Sequence, residues 1–433
     1  MIVAQNFVID IDSFANAMRF KEWVIIGYFL ALPWQTRWFY DAGALAGYPW
    51  EQGRFSVYAS WFLIVLLTFL SIKQKPLTLR VPKKTELLVI IGIVLPALFS
   101  FSQRASIAWL WIFAIAALSI WVLRREQIAI EKMSFWFAIA LVPHALIGLA
   151  QWIFQWSLPS KWLGLALLNP QSQGTAVILS EGIRYLRIYG GFPHPNIFGG
   201  YLAVSLLFVA IAWGSYNRRM QKVLFYVVPL LVIALGFTAS RSAWLSLFGG
   251  LLAHEVLLRK DRLRKHSTDH FHAHWILIPF ILTLAIFPLL VRPISSGSGQ
   301  FAEQKSVSER VLALKQAWPM IKQRPLLGTG QGALLPALIE QELKPVIPHI
   351  VPIVILIETG IVGFITLLYV FVQWLSMLLD KIKRYPATRP AVVSLIVALC
   401  PIVVLDHYLW SYWPGFALLS LIVVFTYEYT PTS

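Results

Sequence analysis

Long apolar stretches recur along the whole chain and constrain its fold more than any other feature. About twelve of them have the roughly 17 to 25 residues that a helix needs to cross the hydrocarbon core of a bilayer. They lie near 22–38, 55–72, 86–101, 105–123, 134–156, 196–214, 223–239, 241–258, 274–291, 350–379, 390–405 and 414–429. With 58% hydrophobic and 13% charged residues, the chain is far more apolar than a soluble domain. We therefore predict an all-α polytopic membrane protein with one transmembrane domain over 1–433.

The distribution of basic residues predicts the orientation of these segments. With the N-terminus in the cytoplasm, most of the 36 Lys and Arg residues fall on the inner side, and the short inner loops are more basic than the short outer ones. The positive-inside rule then predicts cytoplasmic N- and C-termini and an even number of spans. The net charge of +16 is scattered over these loops rather than gathered in one groove. Membrane lipids are therefore expected partners, and nucleic acid is not.

Two segments between the predicted spans are long enough to carry function. Segments 157–195 and 292–349 both fall on the predicted outer, periplasmic side, and the second separates the ninth and tenth spans. In that segment, Ser306 and Glu309 have the spacing of a capping box. Apolar residues then recur at helical spacing, at Val311, Leu314, Trp318 and Ile321. The pattern predicts an amphipathic helix at the outer interface, with Lys315 and Lys322 facing either lipid headgroups or solvent.

A glycine-rich run, Gly-Thr-Gly-Gln-Gly, occupies 328–332. A nucleotide-binding loop is unlikely here because no apolar strand precedes the run and no Lys-Ser or Lys-Thr pair follows it. Two interpretations remain open. Either the backbone closely approaches a neighbouring helix, or it closely approaches a lipid-linked pyrophosphate.

Three polar positions lie where apolar segments meet the predicted outer side. Arg187 precedes a Gly-Gly-Phe-Pro-His-Pro run, Arg241 lies in the tight turn between the seventh and eighth spans, and His349 precedes the tenth span. An arginine at such a depth is costly unless it has an anionic partner, and a guanidinium binds phosphate oxygens bidentately. Histidine suits proton abstraction near neutral pH. Snorkelling for Arg187 and a plain helix start for His349 are the alternatives.

Four stretches carry a resemblance to a known family: RIYGGFPHPNIFGGYL (187–202), TASRSAWLSL (238–247), SERVLALKQAWPMIKQRPLLGTGQG (308–332) and PHIVPIVILIETGIVG (348–363). In this order they resemble the bacterial O-antigen ligases and polymerases of the inner membrane. The resemblance implies transfer of a glycan from undecaprenyl pyrophosphate to lipid A-core or a similar acceptor on the periplasmic face. It also implies that Arg187 and Arg241 clamp the pyrophosphate while His349 activates the acceptor. An activated pyrophosphate donor requires no cofactor.

Further residues are candidates for substrate binding around these positions: Arg184, His194, Asn196, Arg324 and Glu358. The prolines beside His194 also suit a simple helix entry. Glu358 lies inside the tenth span, where an ionisable group is costly, so it either pairs with an arginine from another helix or is protonated. The sequence leaves open whether Asp406 and His407 approach the same site.

Other function classes find less support in the sequence. The single Cys400 cannot build a thiolate metal site, and the histidine cluster at 266, 270, 272 and 274 falls on the predicted cytoplasmic side, so we expect no metal. A transporter of lipid-linked sugars would carry charges or broken helices near the bilayer midplane. Within the family, the sequence favours a ligase, with a polymerase as the alternative.

Overall fold

Helices dominate the part of the chain that the computed structural model describes, which is residues 11–40, 44–45, 47–76, 83–172, 174–180, 182–262, 276, 281 and 298–429. The α-helices of this part are α1 (Ile11–Ala31), α2 (Ala59–Gln74), α3 (Lys84–Leu98), α4 (Gln103–Arg125), α5 (Ile130–Phe154), α6 (Pro195–Ala212), α7 (Arg218–Phe237), α8 (Arg241–Arg262), α9 (Ser298–Gln323), α10 (Leu334–Glu340), α11 (Val351–Arg384), α12 (Arg389–Leu405), α13 (Tyr408–Ser411) and α14 (Trp413–Glu428). Short 3₁₀ turns follow α6 at Trp213–Ser215 and precede α12 at Pro386–Thr388.

Short strands qualify the all-α prediction. Three antiparallel hairpins are formed by β1 (Arg37–Tyr40) with β4 (Phe55–Tyr58), β2 (Ala44–Leu45) with β3 (Tyr48–Pro49), and β5 (Val177–Ser180) with β6 (Ile183–Leu186). The pairs β2–β3 and β5–β6 lie in connections between predicted spans, whereas β1 begins at the end of the predicted span 22–38 and β4 occupies the start of the predicted span 55–72. Backbone groups in such connections need partners that no helix supplies, and a hairpin provides them.

The predicted apolar segments coincide with helices wherever the structure describes them. Eleven of the twelve overlap a helix, and the twelfth, 274–291, lies almost wholly outside the described residues. Among the described helices, six are long and apolar enough to cross a membrane: Gln103–Arg125, Ile130–Phe154, Pro195–Ser215, Arg218–Phe237, Val351–Arg384 and Pro386–Leu405. The protein is therefore a helical membrane protein. The count of twelve spans and their orientation stay predictions.

Helix α6 forms the centre of the bundle. It is apolar on every side, and every residue of α6 except Asn196 is buried. A helix without a polar face has to be surrounded by other helices. Close packing around it uses small residues, since a Cβ on Gly250 of α8 would lie 2.8 Å from Leu207 of α6 and 3.1 Å from Ala398 of α12. Asn196 is thus left at the end of the bundle where the polar residues gather.

The two ends of the bundle differ in chemistry. At one end, basic side chains join helix ends: Lys21 pairs with Glu126 at 2.6 Å, and Lys381 donates to the Thr426 carbonyl at 2.9 Å. At the other end, Asn196 donates to Asp406, and Trp109 donates through Nε1 to the Trp410 carbonyl. Most of the inner loops of the predicted topology begin or end at the basic end, opposite Asn196.

The glycine-rich run packs against a break in α11. Gly360 has φ 60° and ψ −168°, which interrupts the helix. There the loop replaces the missing helical bonds: Thr329 N donates to the Ile357 carbonyl at 2.9 Å, and Gly330 N donates to the Glu358 carbonyl at 2.8 Å. A Cβ on Gly330 would lie 2.0 Å from Ser100 Oγ. The structure therefore supports the first interpretation of this run, a close approach to a neighbouring helix.

Glu358 secures the same junction. Its Oε2 accepts from Trp410 Nε1 at 2.6 Å, and its carboxylate also receives backbone hydrogen bonds from Gly332 and Leu334 at the start of α10. The sequence left two alternatives for Glu358, pairing with an arginine or protonation. The partners that the structure shows are an indole and two backbone amides, which are donors suited to a buried carboxyl.

Replacing Gly360 by alanine is expected to destabilise the fold by about 3 kcal/mol, because its φ and ψ are accessible to glycine almost alone. An added Cβ would also lie 2.3 Å from the Leu326 carbonyl oxygen. Thermal unfolding in detergent micelles measures the effect. Gly27→Ala is the matched control, since a Cβ there meets nothing closer than Leu63 at 3.7 Å. Equal melting temperatures for the two variants would contradict the assignment.

The helix predicted in the second long segment is present, with one correction. It begins at Ser298, so Ser306 lies within the helix and cannot cap its start. The predicted apolar stripe points away from the protein, with Val311 and Trp318 46% and 61% exposed, while Ala313 and Ala317 face inward. An exposed apolar stripe on a helix that packs through small residues suits an interface with lipid.

Candidate functional site

A tight turn between β6 and α6 positions Arg187. Gly190 and Gly191 have φ of 58° and 90°, and a Cβ on Gly190 would lie 2.8 Å from the His144 carbonyl. The side chain of Gln151 holds the turn by accepting from Tyr189 N and Gly190 N at 2.8 and 3.0 Å. Arg187 directly follows β6, and its side chain points to the start of α6.

Two hydrogen bonds fix the Arg187 guanidinium. Its Nε donates to the Thr238 carbonyl and its Nη2 donates to Asn196 Oδ1, both at 2.7 Å. The Asn196 amide then donates through Nδ2 to Asp406 Oδ2 at 2.8 Å. Residues 210 positions apart are thus joined in one chain of bonds that starts at a cation and ends at a carboxylate.

The turn between α7 and α8 brings Arg241 to the same end of the bundle. Thr238 and Ser240 are buried in this turn, and Ala239 takes a positive φ of 50°. Ser240 caps α8 by accepting from Ala243 N through Oγ at 3.4 Å. Arg241, the first residue of α8, is exposed and lies close enough to Arg187 for its charge to lower the Arg187 pKa. Two arginines from distant segments therefore face the same space.

Arg310 on α9 is a third cation that the sequence analysis did not select. Its charge acts on the pKa values of Arg187, His349 and Asp406, so it lies at the same end of the bundle as these three. Its Nε is buried and has no hydrogen-bond partner among the described residues. A desolvated guanidinium nitrogen without an acceptor is costly, and an anionic ligand would remove that cost.

The ring of His349 meets the ring of His407 edge to face, with centroids 5.3 Å apart. Burial, followed by the positive charge of Arg310, lowers the pKa of His349 below 6.5. Its Nδ1 is buried and has no hydrogen-bond partner in the described part of the chain. A neutral imidazole that carries its proton on Nε2 would thus offer Nδ1 as a proton acceptor.

Two other histidines at this end are held neutral. Burial, then the charge of Arg187, lowers the pKa of His194 to about 3. Burial, then the neighbouring His349, lowers the pKa of His407 to about 3. Each has an assigned partner, since His194 Nδ1 accepts from Asn196 N at 3.1 Å and His407 Nδ1 lies 2.9 Å from Ser411 Oγ. Hydrogen bonds through Nδ1 position these two rings, whereas Nδ1 of His349 has no hydrogen-bond partner among the described residues.

The charges at this end do not balance. Burial, together with Arg241 and Arg310, lowers the pKa of Arg187 to about 10, which still leaves it charged at neutral pH. Burial raises the pKa of Asp406 to about 6, against the opposing hydrogen bond from Asn196. Three guanidinium groups outnumber the two carboxylates that act on these residues, Asp406 and Glu309, so positive charge is in excess among the described groups. Such a site attracts an anion.

Three predicted residues have their described contacts elsewhere. Arg184 donates through Nε to the Pro170 carbonyl at 2.5 Å. Arg324 donates through Nη1 to the Phe99 carbonyl at 3.0 Å and lies 3.9 Å over the Phe101 ring. Glu358 binds Trp410 and the glycine loop. No described contact joins them to Arg187, so the structure brings together Arg187, Asn196, Asp406, Arg241, Arg310, His194, His349 and His407.

Metal ligands do not define this site. Within the described residues, no three His, Cys, Asp or Glu side chains are grouped so as to hold a metal ion. The histidine cluster at 266–274 lies outside the described residues. The chemistry of the site therefore has to be argued from its guanidinium, imidazole and carboxylate groups.

The fold and this site define a helical membrane protein with an anion-attracting cluster and an available imidazole at one end of the bundle. Residues 226–368 match the family model described as O-antigen ligase. Over this region the match supports the resemblance to the O-antigen ligase and polymerase family. The matched region is about a third of the chain and includes Arg241, Arg310 and His349. A comparison with curated proteins returned no match.

Proposed function

We propose that the protein is an O-antigen ligase-like glycosyltransferase of the inner membrane. It transfers a glycan from undecaprenyl pyrophosphate to lipid A-core or a similar surface acceptor on the periplasmic face. The observation that carries the proposal is the meeting of three arginines and His349 at one end of the bundle. The family match supports glycan transfer as the reaction class.

The arginines suit the leaving group of this reaction. When the bond between the anomeric carbon and the pyrophosphate breaks, its electron pair stays on the pyrophosphate oxygen. Arg187, Arg241 and Arg310 stabilise that developing charge, and the Nε of Arg310, which has no hydrogen-bond partner among the described residues, supplies a donor. Because the guanidinium of Arg187 is fixed by Thr238 and Asn196, little reorganisation is needed during the reaction.

His349 suits activation of the acceptor. As the acceptor oxygen bonds to the anomeric carbon, its proton passes to Nδ1 of His349. The lowered pKa of His349 keeps the imidazole unprotonated at neutral pH, which a general base requires. The imidazolium then returns the proton to solvent or to the released pyrophosphate. No other reactant is needed for the balance of atoms.

Asp406 and Asn196 position the guanidinium group of Arg187 and do not themselves contact the reacting atoms. Asn196 accepts from Arg187 through Oδ1 and donates to Asp406 through Nδ2, so the carboxylate fixes which way the amide faces. His194 supports the arrangement by accepting from Asn196 N. Among the other predicted substrate-binding residues, Arg184 and Arg324 would have to contact more distant parts of the substrate.

The acceptor decides between ligase and polymerase. Purified protein in lipid nanodiscs, supplied with carrier-linked glycan, is expected to form product when lipid A-core is added and to form little without it. A glycan ladder made without lipid A-core would instead show a polymerase. Helix α9 contributes Arg310 to the site in either case.

A transporter of lipid-linked sugars is the alternative from another class. Vesicles containing a variant with Arg187, Arg241 and His349 all replaced by alanine would separate the two. We expect this variant to lose transfer, whereas the distribution of labelled carrier-linked glycan across the bilayer stays as in vesicles with the wild type. Loss of movement across the bilayer would favour transport.

A further inference from the structure

An open groove runs along the first half of α7, at the basic end of the bundle. Helix α6 begins beside the proposed site, and α7 follows it after the 3₁₀ turn at Trp213–Ser215, so the start of α7 lies at the opposite end. The groove has a volume of about 660 Å³. Small-molecule sites usually have about 300 to 1,000 Å³, so the groove is large enough for a ligand.

The lining of the groove changes from polar to apolar along one face of α7. Arg218, Gln221 and Lys222 line it at the start of the helix, and Phe225, Val228 and Pro229 line it further on. This spacing of three and four residues places all six on one side. From the first to the last of them the helix rises about 16 Å, which is close to half of the about 30 Å of hydrocarbon in a bilayer. A molecule with an anionic head and an apolar tail matches this order.

The two cations of the groove are available to a ligand. Arg218 and Lys222 are exposed, and no hydrogen bond or ion pair holds either side chain among the described residues. Within the described part of the chain, no Asp or Glu lines the groove. At the same end of the bundle, by contrast, Lys21 pairs with Glu126, and Lys383 pairs with Asp380. The groove therefore carries positive charge without a carboxylate to balance it.

Trp213 forms another part of the wall and is fixed by its neighbours. Gln221 donates through Nε2 to the Trp213 carbonyl at 3.4 Å, which ties the 3₁₀ turn to α7. The indole meets the ring of Tyr216 edge to face, with centroids 6.1 Å apart. Tyr216 is buried, and its hydroxyl lies 2.6 Å from Ser134 Oγ on α5. This wall is thus built by the protein, and it places an indole at the level where tryptophan commonly meets lipid headgroups.

The apolar half of the groove favours a lipid over a soluble anion. Phe225 and Tyr226, which both line the groove, are 48% and 76% exposed. They lie on a helix that is long and apolar enough to cross a membrane. A soluble anion would use only the cations, whereas acyl chains would also cover these rings. Basic residues at headgroup level attract anionic lipids in particular.

We propose that this groove binds one anionic phospholipid of the bilayer. Arg218 and Lys222 contact the phosphate, and the upper part of an acyl chain lies along Phe225, Val228 and Pro229. The inference does not depend on the proposed function, since the groove lies at the other end of the bundle and lipid binding alone tests it.

Native mass spectrometry of the purified protein with added phosphatidylglycerol measures this binding. We expect the double variant Arg218→Ala and Lys222→Ala to bind the first phosphatidylglycerol about tenfold more weakly than the wild type, because both contacts to the phosphate are lost. Lys383→Ala with Arg384→Ala is the matched control. It removes the same charge at the same end, from exposed side chains that do not line the groove. We expect its affinity to stay within about twofold of wild type, and equal affinities of the two double variants would overturn the site.

Two further probes test the class of ligand. Phosphatidylcholine has the same acyl chains without net charge, and it is expected to bind the wild type and the groove variant equally. Glycerol 3-phosphate has the headgroup charge without acyl chains, and it is expected not to displace phosphatidylglycerol. Binding of phosphatidylcholine to the wild type as tightly as phosphatidylglycerol, or displacement by glycerol 3-phosphate, would refute an anionic phospholipid as the occupant.

A third variant guards against a folding effect of the double substitution. Phe225→Ala keeps both cations and is expected to weaken phosphatidylglycerol binding about threefold through lost apolar contact. Melting temperatures in detergent report whether each variant is folded. If the groove double variant does not fold, weaker binding by Phe225→Ala supports the site, and unchanged binding refutes it.

Discussion

His349→Ala is expected to lower kcat for glycan transfer by about 10²- to 10⁴-fold, the usual contribution of a positioned general base. The physical reason is that Nδ1 of His349 is buried, has no hydrogen-bond partner in the described part of the chain, and lies at the same end as the arginines. Time courses of product formation with purified variant in nanodiscs measure the loss. Since the ring packs against His407, the melting temperature must be measured alongside.

Added imidazole separates loss of the base from loss of structure. Restored activity of His349→Ala in imidazole buffer would show that only a proton acceptor is missing. Transfer at the wild-type rate without imidazole would refute the assignment of His349 as base. The pH profile gives an independent check. Because the pKa of His349 is lowered, the base stays neutral down to lower pH, and wild-type kcat/KM should fall only below pH 6.5.

Arg187→Ala is expected to lower kcat by about 10²- to 10³-fold, as is typical when one preorganised donor to a developing charge is removed. Arg187→Lys should recover little of this loss. A lysine carries the charge, but it lacks the rigid planar fork with which the Arg187 guanidinium donates to the Thr238 carbonyl through Nε and to Asn196 through Nη2. Initial rates at saturating donor and acceptor measure both variants.

Arg125→Ala provides the control for removal of a guanidinium. Arg125 also donates to a backbone carbonyl, that of Lys75, but at the opposite end of the bundle. We expect its kcat to stay within about twofold of wild type. Comparable losses in Arg187→Ala and Arg125→Ala would point to a general structural effect and would count against the pyrophosphate clamp.

The positions of the helices were predictable because each one is encoded locally. A membrane helix satisfies its own backbone hydrogen bonds, so a long apolar run is sufficient evidence for it. The predicted segments 105–123 and 390–405 differ from α4 and α12 by a few residues at most. The hairpin of β5 and β6 was not predicted because each strand has only four residues and lies in a polar connection.

The site was predictable only in part, because its contacts join distant segments. Arg187, Arg241 and His349 each lie at the end of an apolar run, a signal that a single sequence contains. The bond between Asn196 and Asp406 depends on how α6 packs near the end of α12, which no local pattern encodes. Arg310 was missed because it lies inside a helix, among residues that resemble an ordinary solvated face. Its one available signal was its place on the side of α9 that carries the small residues Ala313 and Ala317.

The break in α11 separates the short first part of the helix, which follows His349, from its longer apolar remainder. Backbone on both sides of Gly360 is hydrogen-bonded to one segment: Thr329 and Gly330 donate to the carbonyls of Ile357 and Glu358, and Ile361 and Val362 donate to the carbonyls of Pro325 and Leu326. We expect these four bonds to keep the break from acting as a hinge. We therefore expect His349 to stay at a constant level relative to the lipid headgroups. A donor whose pyrophosphate is anchored at that level by its lipid tail can then reach the base without movement of α11.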